Sequence, residues 1–359
     1  MRIAVLGGGN GSYAAAADLA EQGHEVRLWR RDVAALAPVL ETGTLLLGDY
    51  RGRRAVRLGL ATPSLAAALA GVELIVAPLP AFAQLDLAQA MAAHLRDGQT
   101  VFLPPGSFGS YVMARALRAA GSSVEVAFAE TGTLPYLTRK HGAAEVAITT
   151  RATRLPTGVF PARLAASALA VIKKAYLAVE PVEDALSAAL MNAGPIIHPP
   201  LLIMNAGPIE HFSQWDIHNE GTQPGIRRVT TVLDGERMAL REALGYGPPH
   251  FPLADHYESD RWMYGNLAHD KLVGSGDWRE RLDLTRHRYM REDVGYGLAF
   301  LVSLADWAGV ACPVARGLLS IGSALCGEDF AQGPRTLAAL GLDRLDRAGM
   351  RRLLAEGIA

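Results

Sequence analysis

A glycine-rich turn after the first predicted strand constrains this chain most strongly. The apolar run at residues 3–6 predicts a strand, and three consecutive glycines, Gly7 to Gly9, separate it from an alanine-rich helical segment. In this context Gly7 permits a tight turn, Gly9 lets the backbone approach a pyrophosphate, and the small Ser12 lets the helix pack on the strand. The N–H groups at the start of the helix would then hold the phosphates.

This motif predicts a dinucleotide site at the start of a Rossmann domain. The alternative is a glycine-rich βα turn that binds nothing. We expect the cofactor to be contacted by Gly7, Gly9, Asn10, Gly11, Ser12, Arg30, Arg31 and Pro78.

Two arginines follow the second predicted strand, where NAD-binding domains usually carry an acidic residue that holds the ribose hydroxyls. Trp29 is followed here by Arg30 and Arg31, and the first acid is Asp32. Two guanidinium groups can pair with a 2′-phosphate, whereas an NAD-specific site would leave them without an anionic partner. The sequence therefore favours NADP(H). NAD(H) is the alternative, in which both arginines are solvated and Asp32 contacts the ribose.

Two halves of the chain differ in their apolar pattern. Short apolar runs alternate with Ala/Leu-rich helical segments at first, which predicts a parallel sheet with helices. The predicted strands are 3–6, 25–29, 74–77, 100–103 and 124–128, with 56–60 and 145–149 as weaker candidates. Later segments follow the helical period. We expect an α/β Rossmann domain over residues 1–180 and an all-α domain over residues 181–359.

The amino-acid composition argues against several classes of protein. The 359 residues include 35 Lys plus Arg and 36 Asp plus Glu, for a formal net charge of -1. That balance argues against a nucleic-acid binder that relies on a basic field. The two cysteines, Cys312 and Cys326, lack the spacing of a disulfide framework or a zinc site, so we expect no metal.

The sequence carries only weak signals for cellular location and oligomeric state. We find neither a signal-peptide pattern nor an uninterrupted apolar run long enough to cross a membrane, so we expect a cytoplasmic protein without a membrane partner. The sequence does not determine the oligomeric state. A homodimer is expected only because dimers are the commonest assemblies.

One histidine in the second half lies in an unusual setting. His198 stands among apolar residues and prolines in the segment 192–210. Nicotinamide chemistry needs a proton donor or acceptor beside the carbon that exchanges the hydride. Taken alone, His198 is more often a satisfied core histidine. Asp293, which begins a predicted apolar helix, would complete a His–Asp pair.

Two asparagines flank His198 in the same segment. Asn192 and Asn205 are candidates for lining a substrate cleft beside the histidine. The alternative is that both are cap or turn residues, because asparagine next to glycine and proline is common in turns.

Six segments resemble the opine dehydrogenases, a family that includes octopine, nopaline and N-(1-carboxyethyl)-norvaline dehydrogenases. They are GGGNGSYAAAADLA (7–20), AETGTLPY (129–136), NAGPIIHPPLLIMNAGPIE (192–210), EGTQPGI (220–226), RYMREDVGYGL (288–298) and GPRTLAALGL (333–342). The resemblance runs nearly end to end. It implies a Rossmann domain, a helical C-terminal domain, and a reversible NAD(P)H-dependent condensation of an amino acid's amine with an α-keto acid.

The resemblance also implies roles for individual residues. His198 and Asp293 match the family's acid/base pair, and Arg288 matches an arginine that binds a substrate carboxylate. Glu130 and Thr131, placed just after the sixth predicted strand, resemble residues that border the nicotinamide. We assign Glu130 to the cofactor and Thr131 to the substrate. The alternative is that they simply terminate the strand.

Two other functions compete with this one. An enzyme like ketopantoate reductase or glycerol-3-phosphate dehydrogenase would typically depend on a catalytic lysine, and no lysine lies in a convincing second-domain motif. A non-catalytic NADP(H)-binding sensor would keep the glycine loop without needing His198, Arg288 and Asp293 together.

Overall fold

The computed structural model describes residues 1–265 and 268–358. They form two compact units: Met1–Ala189 together with the chain from Arg352 onward, and Leu190–Arg351. The first unit thus extends past the predicted boundary at residues 180/181, and it also takes in the C-terminal residues that the sequence had placed in the second domain.

The first unit contains all twelve strands described. They are β1 (Arg2–Leu6), β2 (Glu25–Trp29), β3 (Thr44–Asp49), β4 (Gly52–Arg57), β5 (Leu60–Thr62), β6 (Leu74–Val76), β7 (Thr100–Leu103), β8 (Ala127–Thr131), β9 (Tyr136–Gly142), β10 (Glu145–Arg151), β11 (Leu155–Phe160) and β12 (Val179–Pro181). Its helices are α1 (Asn10–Glu21), α2 (Val33–Thr42), α3 (Leu65–Leu69), α4 (Gln84–Met91), α5 (Gly109–Ala119), α6 (Ala165–Lys173) and α7 (Ala185–Ala189). Because α7 packs against β11, the first unit continues to Ala189.

Eight strands form the main sheet, in the order β12-β11-β8-β7-β6-β1-β2-β5. From β8 to β5 every neighbouring pair is parallel, and the order is that of a Rossmann fold. The predicted fold class is therefore confirmed. One edge departs from a purely parallel sheet, because β11 runs antiparallel to β8.

A second sheet, in the order β4-β3-β10-β9, was not predicted as a sheet. It explains one of two errors in the predicted strands. The candidate at 56–60 falls between the sheets, because β4 ends at Arg57 and β5 begins at Leu60. The candidate at 124–128 begins too early, because β8 spans Ala127–Thr131. Glu130 and Thr131 therefore lie within the strand rather than after it.

Helix α1 contacts strands of both sheets. Its residues are buried from Gly11 through Leu19, including the four alanines Ala14 to Ala17. A helix that is apolar on all sides is a buried helix, and alanine lets both sheets approach it closely. The glycine loop at the start of α1 is thereby held between the end of β1 and the second sheet.

The second unit is helical. Its helices are α8 (Gly194–Ile203), α9 (Ala206–His211), α10 (Pro224–Leu244), α11 (Ala254–Glu258), α12 (Ala268–Ser275), a π-helix (Tyr289–Leu298), α13 (Ala299–Ala308), α14 (Pro313–Cys326) and α15 (Leu337–Leu340). The last helix, α16 (Arg347–Glu356), runs across the division. Within the described part of this unit, the one β feature is a bridge between Trp215 and Glu280.

One described stretch, Ala185–Ile203, is long and apolar enough to cross a membrane by length and composition. Most of it, 78% of the apolar window, is buried in the fold. Core helices of soluble proteins pass the same test, so the stretch is weak evidence for a membrane span.

Candidate active site

The most unusual helix of the second unit carries two of the predicted site residues. Tyr289–Leu298 is a π-helix, with Arg288 at its N-cap and Asp293 inside it. The prediction that Asp293 begins the helix was therefore wrong, since the helix starts at Tyr289. π-Helical turns are rare and are frequently found at functional sites.

Two glycines let α8 approach the π-helix closely. A Cβ atom on Gly194 would collide with Oδ1 of Asp293, and one on Gly297 would collide with the ring of Pro195. Either position therefore requires glycine for the observed backbone separation. The close approach brings His198, on α8, into contact with Asp293.

The predicted histidine and aspartate lie in contact. Nδ1 of His198 is 2.7 Å from Oδ2 of Asp293, with 14% and 11% of the two side chains exposed. The carboxylate accepts, so Nδ1 donates, and Nε2 becomes the ring nitrogen that can exchange a proton with a substrate. Burial raises the pKa of Asp293 to about 7, and the nearby Arg288 guanidinium opposes that rise. A buried carboxyl group whose pKa is raised in this way, beside a histidine, is typical of a functional site.

Two aromatic neighbours fix the orientation of the imidazole. The Tyr289 ring stacks on the His198 ring, with centroids 3.7 Å apart and planes within 11°. The His218 ring meets His198 edge-on at 5.8 Å. Neither residue was predicted from the sequence. Tyr289 was within reach of it, because this residue lies between Arg288 and Asp293 in the quoted motif, whereas His218 had no distinguishing signal.

Arg288 presents its guanidinium beside this cluster. Its Cζ lies 5.2 Å from the centroid of the Tyr289 ring, and Nη1 is 3.8 Å from Oε2 of Glu292. Its side chain is 55% exposed, so the charge is accessible. A planar guanidinium can hold a carboxylate through two parallel hydrogen bonds. His198 and Arg288 thus both border the Tyr289 ring.

The two asparagines are tied to the protein. Oδ1 of Asn192 accepts a hydrogen bond from the Gly194 N–H at 3.1 Å, at the start of α8. Nδ2 of Asn205 donates to the carbonyl groups of Leu201 (2.8 Å) and Gly221 (3.1 Å), and its Oδ1 accepts from the Trp215 indole at 3.0 Å. These contacts are the ones expected if both asparagines are cap or turn residues, which is the alternative to lining a substrate cleft. Both N–H groups of the Asn205 side chain are therefore used within the protein.

In the first unit the glycine loop has the features that a pyrophosphate requires. Gly7 has φ +123°, which favours glycine, and a Cβ there would meet Oγ of Ser12 at 2.6 Å. Gly9 is the N-cap of α1 and provides no side-chain cap. A Cβ on Gly9 would meet no described atom within 4 Å. Open space therefore lies over the N-terminus of α1, where N–H groups can bind phosphate. The residues present fit a dinucleotide.

Gly11 and Ser12 have packing roles beside this space. A Cβ on Gly11 would meet Leu134 at 2.7 Å and Pro78 at 3.2 Å, so glycine is needed there for close packing. The Ser12 hydroxyl is buried and donates to the Leu6 carbonyl at 3.3 Å. Pro78 follows β6, which neighbours β1 at the point where strand order reverses. Dinucleotides bind at such switch points.

The two predicted arginines differ in their surroundings. Arg30 donates to the Tyr13 hydroxyl at 3.2 Å and lies beside Gly8, where a Cβ would come within 2.5 Å of Nε. Arg31 is exposed. Asp32 accepts a backbone hydrogen bond as the N-cap of α2. This capping role gives the acid a use other than contact with a ribose.

Glu130 and Thr131 make contacts inside the first unit. The buried carboxylate of Glu130 accepts hydrogen bonds from the Phe108 N–H at 2.7 Å, the Ser110 N–H at 3.2 Å and the Ser110 hydroxyl. The Thr131 hydroxyl donates to the Pro156 carbonyl at 2.7 Å. Glu130 therefore anchors the segment that begins α5, and Thr131 ties β8 to β11.

This chain is similar to known proteins along nearly its whole length. Residues 181–326 match the family model described as NAD/NADP octopine/nopaline dehydrogenase, alpha-helical domain. An opine dehydrogenase of Arthrobacter sp. (strain 1C) is 26% identical over 351 residues, which cover 97% of each protein.

Solved structures of similar enzymes share the fold. An octopine dehydrogenase solved with NADH and L-arginine superposes with a TM-score of 0.72 at 18% identity, covering 99% of this chain and 98% of that one. A yersinopine dehydrogenase with NADP+ bound gives 0.64 at 15% identity, with coverage of 99% and 98%. The helical part of the chain, residues 181–326, therefore matches the octopine/nopaline dehydrogenase family, and the chain as a whole is similar to opine dehydrogenases, which are oxidoreductases that act on CH–NH donors.

Proposed function

We propose that this protein is an NADP(H)-preferring opine dehydrogenase of the cytoplasm. It condenses the amine of an amino acid with an α-keto acid, reductively and reversibly. The observation that carries the proposal is the His198–Asp293 contact at 2.7 Å beside the exposed guanidinium of Arg288. We also propose a homodimer, on the frequency of dimers alone.

The cofactor residues have distinct tasks in this proposal. The N–H groups at the start of α1 hold the pyrophosphate across the open space at Gly9, and Arg30 binds the 2′-phosphate of NADP(H). A reduced nicotinamide supplies the hydride when it is bound.

The second-unit residues orient the substrate and move the proton. Arg288 binds the carboxylate of the keto acid and fixes its orientation. In the condensation direction, Nε2 of protonated His198 donates to the carbinolamine oxygen, which leaves as water. Asp293 holds Nδ1 and stabilises the imidazolium before that transfer. In the reverse direction the same nitrogen accepts the proton.

The competing functions have less support. An enzyme that uses a second-domain lysine has one candidate in Leu190–Arg351, Lys271, which is exposed on α12. A non-catalytic sensor would not need an imidazole oriented by a stacked tyrosine and a buried carboxylate. The dyad favours chemistry over sensing.

The direct test is consumption of NADPH and of NADH with pyruvate or 2-oxoglutarate, against a panel of amino acids. Mass spectrometry should find a secondary amine dicarboxylate whose mass identifies both substrates. Oxidation of the cofactor by the keto acid alone would identify an oxoacid reductase. Binding of NADPH without consumption for every pair would support the sensor instead.

Substitution of both arginines should test the cofactor preference. We expect Arg30→Ala combined with Arg31→Ala to raise the Kd of NADPH about tenfold or more, with a much smaller effect on NADH, because only NADPH carries the 2′-phosphate. Cofactor fluorescence titration measures both constants. Equal weakening of the two cofactors would refute the assignment to the 2′-phosphate.

Substitution of Arg288 should act on the substrate. Arg288→Ala should raise the KM of the keto acid about 10- to 100-fold, the value of a charge-assisted hydrogen-bonded pair, while the Kd of NADPH stays unchanged. Arg286→Ala provides a matched control, since Arg286 is a nearby exposed arginine. An unchanged KM in Arg288→Ala would exclude this guanidinium from carboxylate binding.

A further inference from the structure

Lys140 lies beside Arg30 at the glycine loop. Its Nζ is 3.3 Å from the Gly8 carbonyl oxygen and 3.6 Å from the centroid of the Tyr13 ring. Arg30 donates to the hydroxyl of the same tyrosine at 3.2 Å. Two cationic groups from distant parts of the chain therefore meet at one buried tyrosine.

Lys140 is fixed in this place by its backbone. It belongs to β9 of the second sheet, and its N–H donates to Oδ1 of Asn10 at 3.0 Å. Asn10 is the first residue of α1, so the hydrogen bond ties β9 to the start of the helix. The lysine is thus held over the loop, and its side chain is partly buried.

These two cations lack the acidic partners that other arginines of the unit have. Arg54 pairs with Glu21 and Asp49, and Arg151 pairs with Asp18. In the part of the chain that the structure describes, neither Lys140 nor Arg30 forms a salt bridge. Burial and the charge of Arg30 lower the pKa of Lys140 to about 8. Holding two like charges together costs free energy unless an anion offsets their repulsion.

The position of the pair distinguishes between the phosphates of a dinucleotide. A bound pyrophosphate would lie at the N-terminus of α1, over Gly9. Arg30 follows β2, and the end of this strand is where the adenosine ribose is recognised. Both cations border Gly8, on the side of the loop next to β2. An anion bound between Lys140 and Arg30 would therefore be a phosphate on the adenosine ribose and not the pyrophosphate.

We propose that Lys140, supplied by the second sheet, binds the 2′-phosphate of NADP(H) together with Arg30. This makes Lys140 a residue that determines cofactor specificity. The inference rests on the cofactor preference in the proposed function, and it adds a ligand that the second predicted strand does not contain. It also gives the second sheet a functional role.

The test compares Lys140→Met with Lys173→Met, an exposed lysine on α6 of the same unit. The Kd values of NADPH and NADH are measured by fluorescence titration of the full-length chain. Lys140→Met should raise the Kd of NADPH by about tenfold or more and that of NADH by less than about twofold, because a charge-assisted contact is lost with NADPH only. Lys173→Met should leave both constants unchanged, and Lys140→Arg should retain most of the preference.

Two results would overturn the inference. Equal weakening of NADPH and NADH would place Lys140 at the pyrophosphate or give it a structural role, and unchanged constants would leave it without a part in binding. If Lys140→Met does not fold, Lys140→Gln is titrated with 2′,5′-ADP and 5′-ADP, whose difference in affinity should shrink.

Failure of this inference is distinguishable from failure of the proposed function. A selective effect of the Arg30 and Arg31 substitutions without one at Lys140 would reject Lys140 and keep the NADP(H) preference. Equal binding of NADPH and NADH by the unmodified protein would reject the preference and the inference with it. Product formation is scored separately, at saturating cofactor.

Discussion

His198→Ala should lower kcat for the reductive condensation by about 10²- to 10⁴-fold, the usual contribution of a positioned general acid. The histidine is held by Asp293 on one side and by the ring of Tyr289 on the other, so alanine removes the proton donor from an otherwise preserved site. The glycine loop belongs to the other unit of the fold, and the Kd of NADPH should therefore stay the same. Assays of product formation measure kcat, and fluorescence titration measures the Kd of NADPH.

His211→Ala is the matched control for this experiment. His211 is exposed at the end of α9, and its ring contacts Phe212. Its substitution should not change kcat. Unchanged turnover in His198→Ala would remove this histidine from the mechanism. A parallel loss of cofactor binding would show that the substitution damaged the fold rather than the chemistry.

The parts of the site that the sequence predicted are those imposed by local stereochemistry or by a short motif. The positive φ at Gly7 favours glycine, and a glycine at Gly9 keeps the space over the helix N-terminus open. Both requirements are visible in the sequence as glycines. The partnership of His198 and Asp293 was proposed from two separate motifs. What brings them together is the contact between α8 and the π-helix, which depends on glycines that carry no catalytic signal of their own.

The parts that the sequence did not predict depend on pairing between distant segments. Strand β10 pairs with β3 through Glu145 to Ala147 and Leu46 to Gly48, and such a pairing leaves no local pattern. The second sheet was missed for that reason, and Lys140 was missed with it. The sequence also does not distinguish a turn asparagine from a ligand asparagine at Asn205, whose hydrogen bonds to Trp215 and Gly221 depend on the fold.

Asp293→Asn should reduce kcat by about 10²-fold or more at neutral pH and should change its pH dependence. Burial raises the pKa of Asp293 to about 7 from an ordinary value of 3.8. The carboxyl group is therefore protonated below about pH 7 and ionised above it. Condensation needs the protonated pair, so its rate should fall as pH rises through this range, and the rate of oxidation should rise. An amide does not titrate and cannot stabilise the imidazolium.

Stability gives a second measurement on the same variant, since a raised carboxyl pKa favours the folded state at low pH. Its contribution is complete below the ordinary value of 3.8 and is lost as pH rises through about 7. Urea unfolding at pH 5 and pH 8 should therefore show a smaller difference for Asp293→Asn than for the unmodified protein. Asp306→Asn, at an exposed position on α13, should keep the original difference and the original kcat. If Asp293→Asn kept the unmodified pH profile of kcat, the carboxylate would have no part in the proton transfer.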